Sequence, residues 1–150
     1  MKRNDNIVHL SRDHHFGLLC SWKIRQGLKK QVEAARIKNY IFYFWKNHLE
    51  EHFRKEEEIL FPYLEDEYTV RIQSEHTRLK KLISQIENYG DSGPFQDFAD
   101  LLEQHIRFEE RSWFPHLEEK LSWTTLEQIG KELDRIHFDE KDNHPDEFWK

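Results

Sequence analysis

The chain has 150 residues, the usual size of one domain, and its make-up of 37% hydrophobic, 14% aromatic and 35% charged residues suits amphipathic helices with bulky inner faces. A formal net charge of -6, with no run of Lys or Arg longer than two, argues against a nucleic-acid partner, and the lack of any run of about 18 apolar residues argues against secretion or membrane insertion. Cys20 is the only cysteine, which excludes an intrachain disulfide and a cysteine-based zinc site and fits a cytoplasmic location.

In chain order, the spacing Leu10, His14, Leu18, Trp22 predicts a first helix over roughly residues 11 to 30, with Ser11 as its N-cap. A second stripe runs Ile37, Ile41, Phe44, His48, His52, Glu56, Ile59, Leu60 and reaches Pro62, which should kink or end it. Ile72, His76, Leu79, Ile83 and Ile86 predict a third helix with Gly90 as C-terminal cap, and Gly90-Asp91-Ser92-Gly93-Pro94 is the strongest turn signal. Phe98, Leu101, Leu102, His105, Glu109 and Trp113 then make a fourth stripe up to Pro115. Thr124-Thr125-Leu126-Glu127 reads as a capping box before a short fifth helix on Leu126, Ile129, Leu133 and Ile136. The expected organisation is all-α, an up-and-down antiparallel four-helix bundle with a short additional C-terminal helix. All of 1–150 is read as one metal-binding domain, with the bundle at about 9–120, the extra helix at about 124–137 and an acidic tail at 138–150 whose docking is left open.

The second and fourth helices carry one motif twice. His52-Phe53-Arg54-Lys55-Glu56-Glu57, with Phe61-Pro62 and Leu64-Glu65 beyond it, aligns without a gap on His105-Ile106-Arg107-Phe108-Glu109-Glu110, with Phe114-Pro115 and Leu117-Glu118. Helices one and three echo each other as Leu10-x-x-Asp13-His14 and Ile72-x-x-Glu75-His76, so the chain is an approximate duplication of one helical hairpin. Residues at i and i+4 share a helix face about 6 Å apart and can grip one ion together. A lone His-x-x-x-Glu is usually a surface pair, but two copies on apolar stripes must bring imidazoles and carboxylates inside, and bound cations resolve the cost of burying them. Four imidazoles (His14, His52, His76 and His105) and two carboxylates (Glu56 and Glu109) suit two ions, each with two histidines and with the glutamates bridging or shared. Ligation by nitrogen and oxygen is compatible with iron, manganese or zinc. His14 is preferred to His15 because it continues the apolar stripe; His48 is either an extra donor or a core histidine, and His116 lies too far along the axis to share the site. His9, His137 and His144 read as solvated, Glu57 and Glu110 as outer or surface acids, and the aromatics Trp22, Phe44, Trp45, Phe108 and Trp113 as core.

This pattern, with the Glu-Glu and Phe-Pro that follow each pair, resembles the hemerythrin-like cation-binding (HHE) domain over roughly residues 9 to 120. The resemblance implies a non-haem pair of iron ions (Fe2+/Fe3+), oxo- or hydroxo-bridged, held by His14, His52, Glu56, His76, His105 and Glu109. It also implies binding or sensing of dioxygen, nitric oxide or peroxide, or iron handling. The oxygen-carrying members place two histidines four apart on the third helix, where this chain has Ile72 and Lys80 around His76, and their second carboxylate falls at the position of Glu110. A symmetric six-ligand site is closer to the wider family. No catalytic side chain is assigned, and the expected partner is a small diatomic ligand or peroxide, with any protein partner unknown. The competing expectations are a di-iron peroxide-reducing enzyme and a structural zinc module that acts by interaction.

Overall fold

In the computed structural model, which describes residues 3–88, 92–135 and 143–150, the chain is all-helical, with no strand among the described residues. Helix α1 is Val8–Lys29. Helix α2, 34–63, is one rod made of α-helix Ala34–Phe44, a π turn Trp45–Leu49, α-helix Glu50–Lys55, a second π turn Glu56–Leu60 and a 3-10 turn Phe61–Tyr63. Helix α3 is Glu67–Asn88, and α4, 93–120, joins α-helix Gly93–Phe108 to Phe114–Lys120 through a π turn Glu109–Trp113. Helix α5 is Trp123–Arg135. None of these helices is long and apolar enough to cross a membrane.

Neighbouring helices run antiparallel. Along α1 and α2 the contacts go Asp13 to His52, Phe16 to His48 and Lys23 to Tyr40; along α2 and α3, Lys38 to Glu87 and Glu57 to His76. On α4, Glu109 meets His14 and Asp100 meets Arg25 of α1, while His105 meets Glu75 and Phe108 meets Tyr68 of α3. The core falls in two parts. One holds Cys20, Ile24, Tyr40, Phe44, Leu79, Ile83, Phe98 and Leu102, the other Leu10, Leu60, Ile72, Trp113, Phe114 and Leu117. On all four long helices the motif residues fall at or next to the junction of the two parts, so a polar layer lies where they meet. Helix α5 covers the second part with Leu126, Ile129 and Leu133, and the C-terminal segment covers the first with Phe148.

Several expectations change in physical detail. Helix α1 starts at Val8 rather than Ser11, because the Ser11 hydroxyl is drawn to Glu110 (2.6 Å) and caps nothing. Trp22 is 48% exposed, since a strict spacing of four advances 400° and drifts off a face of period 3.6. The inner face instead runs Leu10, His14, Gly17, Ser21 and Ile24, with Ser21 donating to the Ala99 carbonyl (2.9 Å). Helix α4 continues through Pro115 to Lys120, because the turn ahead of the proline is widened to a π turn, where the missing N–H and the ring are accommodated. The cap of α5 is Ser122, whose hydroxyl accepts the Thr125 N–H (3.1 Å), rather than Thr124. Helix α3 has its own cap in Asp66, which accepts from Tyr68 and Thr69. Gly90 and Asp91, Ile136, His137 and the first part of the tail, 138–142, lie outside the described residues.

The rest of the tail is docked. Asp146 pairs with Arg36 (2.7 and 2.9 Å), the Trp149 ring lies 4.0 Å from Lys23 Nζ, and His144, expected in solvent, packs on Tyr40 and Tyr43. Phe148 fits against Gly27, where an added Cβ would stand 2.7 Å from its ring and 3.0 Å from Ile37. Gly27→Ala is therefore expected to cost about 1–3 kcal/mol through overpacking, against a gain of about 1 kcal/mol in helix propensity. Hydrogen exchange should show residues 143–150 losing protection first; unchanged protection there would contradict this packing.

Candidate metal centre

Each long helix delivers its part of the motif to the dividing layer. His14 comes from α1, His52 and Glu56 from α2, His76 from α3, and His105 and Glu109 from α4; all six side chains are buried, Glu56, His76 and Glu109 completely. The i, i+4 spacing puts His52 Nε2 3.2 Å from Glu56 Oε2 and His105 Nε2 3.4 Å from Glu109 Oε2. Across helices, His14 Nε2 lies 2.6 Å from Glu109 Oε1 and His76 Nε2 2.9 Å from Glu56 Oε1. The donor atoms form two groups, each within 4.8 Å: His14, His52, Glu56 and Glu109 in one, Glu56, His76, His105 and Glu109 in the other. Both carboxylates belong to both groups. The halves match closely, with the His14 and His52 rings 5.0 Å apart and those of His76 and His105 also 5.0 Å apart.

The second ring nitrogen of every histidine meets a carboxylate. His14 Nδ1 faces Glu110 (2.7 Å), His52 Nδ1 Asp13 (3.2 Å), His76 Nδ1 Glu57 (2.9 Å) and His105 Nδ1 Glu75 (2.7 Å). Such a partner fixes the tautomer with hydrogen on Nδ1 and aims the Nε2 lone pair inward, the usual support of a metal-binding imidazole. Asp13 and Glu75 were missed as functional residues in the sequence, although the repeated acid before His14 and His76 was the signal for them. The repeated phenylalanine also has a place: Phe114 stacks on His14 and Phe61 on His76.

Four buried atoms facing this layer, His52 Nε2, His105 Nε2, Glu56 Oε2 and Glu109 Oε2, have no hydrogen-bond partner. Buried polar atoms are rarely left so, and two imidazole nitrogens with two carboxylate oxygens are a donor set that suits divalent cations of the first transition row. In the protein alone, protons take the place of cations. Burial opposes the charge on His76, but Glu56 and Glu57 outweigh it and lift the imidazole to about 9. His52 is likewise raised well above its ordinary range, against burial, by Glu56, Asp13 and Glu109, and Glu56 is held well below its own, against burial, chiefly by His52. A cation arriving here displaces protons from the imidazoles.

One side of the layer is hollow. A cavity of about 20 Å³ touches His14, His52, His105 and Glu109 and is walled by Phe44, Leu49, Phe53, Leu102 and Ile106. That is room for about one water-sized molecule. Gly17 lets α1 approach the wall residue Ile106, with which a side chain there would collide. His48 borders the cavity between the stacked rings of Phe16 and Phe44, outside both donor groups. His15 points to solvent, and His116 is bound elsewhere, to Asp66 (2.7 Å), with its ring on Tyr68.

The family model described as the hemerythrin HHE cation-binding domain matches residues 8–117. The chain is similar to a curated protein named DNA nickase from Nostoc sp. (strain PCC 7120 / SAG 25.82 / UTEX 2576), at 30% identity over 115 residues that cover 71% of this chain and 32% of that protein. It thus spans about a third of the length of that relative. No solved structure matches the chain.

Proposed function

The chain belongs to the hemerythrin HHE cation-binding family, and from that premise we propose that it is an up-and-down four-helix bundle holding two iron ions that bind or sense dioxygen, nitric oxide or peroxide. His14 and His52 would hold one ion, His76 and His105 the other, with Glu56 and Glu109 shared. The observation that carries this is two groups of buried donor atoms that share Glu56 and Glu109, four of whose atoms have no hydrogen bond. Iron supplies a reversible one-electron couple and coordination positions open to a small ligand. The chain's own residues do the rest. The outer carboxylates Asp13, Glu57, Glu75 and Glu110 orient the imidazoles. The apolar walls limit water at the centre, and the small cavity beside it favours a small ligand over a bulky one.

With only two glutamates to four neutral imidazoles, the centre carries less negative charge than a carboxylate-rich oxidase site, which favours binding over turnover. The name of the Nostoc relative belongs to a much longer protein, and no nicking of DNA is carried over to this chain. The test is metal content and visible absorption of protein expressed with ample iron, in wild type and in His52→Ala/His105→Ala. About two irons per chain, with ferric bands that the double variant lacks, are expected of a bundle site of this kind. Tightly held zinc, or no metal with an unchanged fold, would overturn the proposal.

A further inference from the structure

Beyond the six inner residues, three of the four outer carboxylates pair with a cation and the fourth, Asp13, has one nearby, and these cations are not alike. Glu110, which orients His14, is held on Oε2 by Arg3 (3.1 Å) and on Oε1 by the Ser11 hydroxyl (2.6 Å). Arg3 also donates to the Glu110 carbonyl (2.9 Å) and pairs with Glu118, and its side chain is only 16% exposed. Asp13, which orients His52, is drawn to Lys55, a residue 2% exposed. On the other half the corresponding cations are in solvent. Glu57, behind His76, has Lys80 at 3.6 Å and 47% exposed; Glu75, behind His105, has Arg71 at 3.2 Å and 54% exposed.

Both positions have a carboxylate behind each imidazole, with cationic side chains near them. What differs is how firmly each pair is fixed. An exposed ion pair is screened by salt and must hold a long side chain in one geometry, so it contributes little. A pair whose cation is mostly buried and anchored by further hydrogen bonds keeps its geometry. An imidazole whose outer partner is fixed is already aimed at the ion, and less order is lost on binding.

On the reading that this centre holds two metals, we infer that the positions are unequal: the His14/His52 position binds the more tightly, and Arg3, acting through Glu110, is the positioning residue that makes it so. Nothing in the motif itself, which is symmetric, would separate them. The distinguishing elements are Arg3 and Ser11, before and at the head of α1, where Glu57 has only the more exposed Lys80.

Titration of the metal-free full chain with Co2+ against a competing chelator tests this, with the absorption bands of bound Co2+ as the readout. Wild type should take up two ions in steps separated by more than about 10-fold. His76→Ala should keep the tighter step and His52→Ala only the weaker. Arg3→Gln should weaken the tighter step by roughly 10-fold or more while Arg3→Lys recovers part of it, and Lys80→Gln should change either step by less than about 2-fold. Circular dichroism of each variant checks that helix content is kept. Two equal steps in wild type, the tighter step surviving in His52→Ala, or a tighter step indifferent to Arg3→Gln would each overturn the inference while leaving a two-metal centre in place. Failure of wild type to bind any Co2+ would instead overturn the metal-centre reading, and this inference with it.

Discussion

Glu109→Gln should empty both metal positions at once. The Glu109 carboxylate belongs to both donor groups, with Oε1 beside His14 Nε2 and Oε2 3.4 Å from His105 Nε2. An amide of the same shape keeps the packing and still offers a hydrogen-bonding oxygen to His14, but it removes one of the two negative charges shared by the ions. Affinity should fall at both positions by more than about 100-fold, beyond the loss expected when only an outer partner is removed. By contrast His76→Ala, which touches one group alone, should leave one ion bound. Metal content after dialysis against a weak chelator separates the two cases. If Glu109→Gln retained one tightly held ion, the sharing of this carboxylate would be wrong.

Stripping the metal from wild type should lower the melting temperature by roughly 15–30 °C near pH 8. Each site filled at about a thousand times its dissociation constant adds about 4 kcal/mol, and each kcal/mol moves the melting point of a chain of this size by about 2–4 °C. The loss should depend on pH in a definite sense. His76 is raised from an ordinary 6.5 to about 9 in the folded metal-free protein, so the stability it lends is fully present below about 6.5 and is lost as pH rises through about 9. His14 and His52 are raised as well and act in the same direction. The metal-loaded form gains over the same range, because fewer protons must be displaced. The gap between the two melting curves should therefore widen from pH 6.5 to 9. Coincident melting of the two forms would mean that the buried carboxylates are satisfied without a cation.

The six inner residues were legible because a period of 3.6 and a duplicated motif are both visible in one dimension. His14 is buried and His15 exposed, as the apolar stripe around Leu10 indicated. What was illegible depended on partners far away in the chain. Nothing local says that the Ser11 hydroxyl belongs to Glu110 rather than to the head of its own helix, or that Arg3 reaches Glu110 and Glu118. The small residues Gly17, Ser21 and Gly27 carry no hydrophobic signal, yet they line the inner face of α1 because α4 and the C-terminal segment approach so closely there. The docking of the tail is illegible for the same reason: an acidic segment shows its fit only once Arg36, Lys30 and Lys23 stand beside it.

The widened turns also bear on the history of the chain. Each begins at the inward glutamate of its copy of the motif, Glu56–Leu60 in one hairpin and Glu109–Trp113 in the other. A π turn holds one residue more than the α-helical path around it. Two such insertions at matching places are accounted for by a single event in an ancestral hairpin, before its gene was copied and joined end to end. On that account the ancestral hairpin already carried His-x-x-x-Glu with its extra residue. The third widened turn, Trp45–Leu49, corresponds to unbroken α-helix in the other half, so the two copies now differ there.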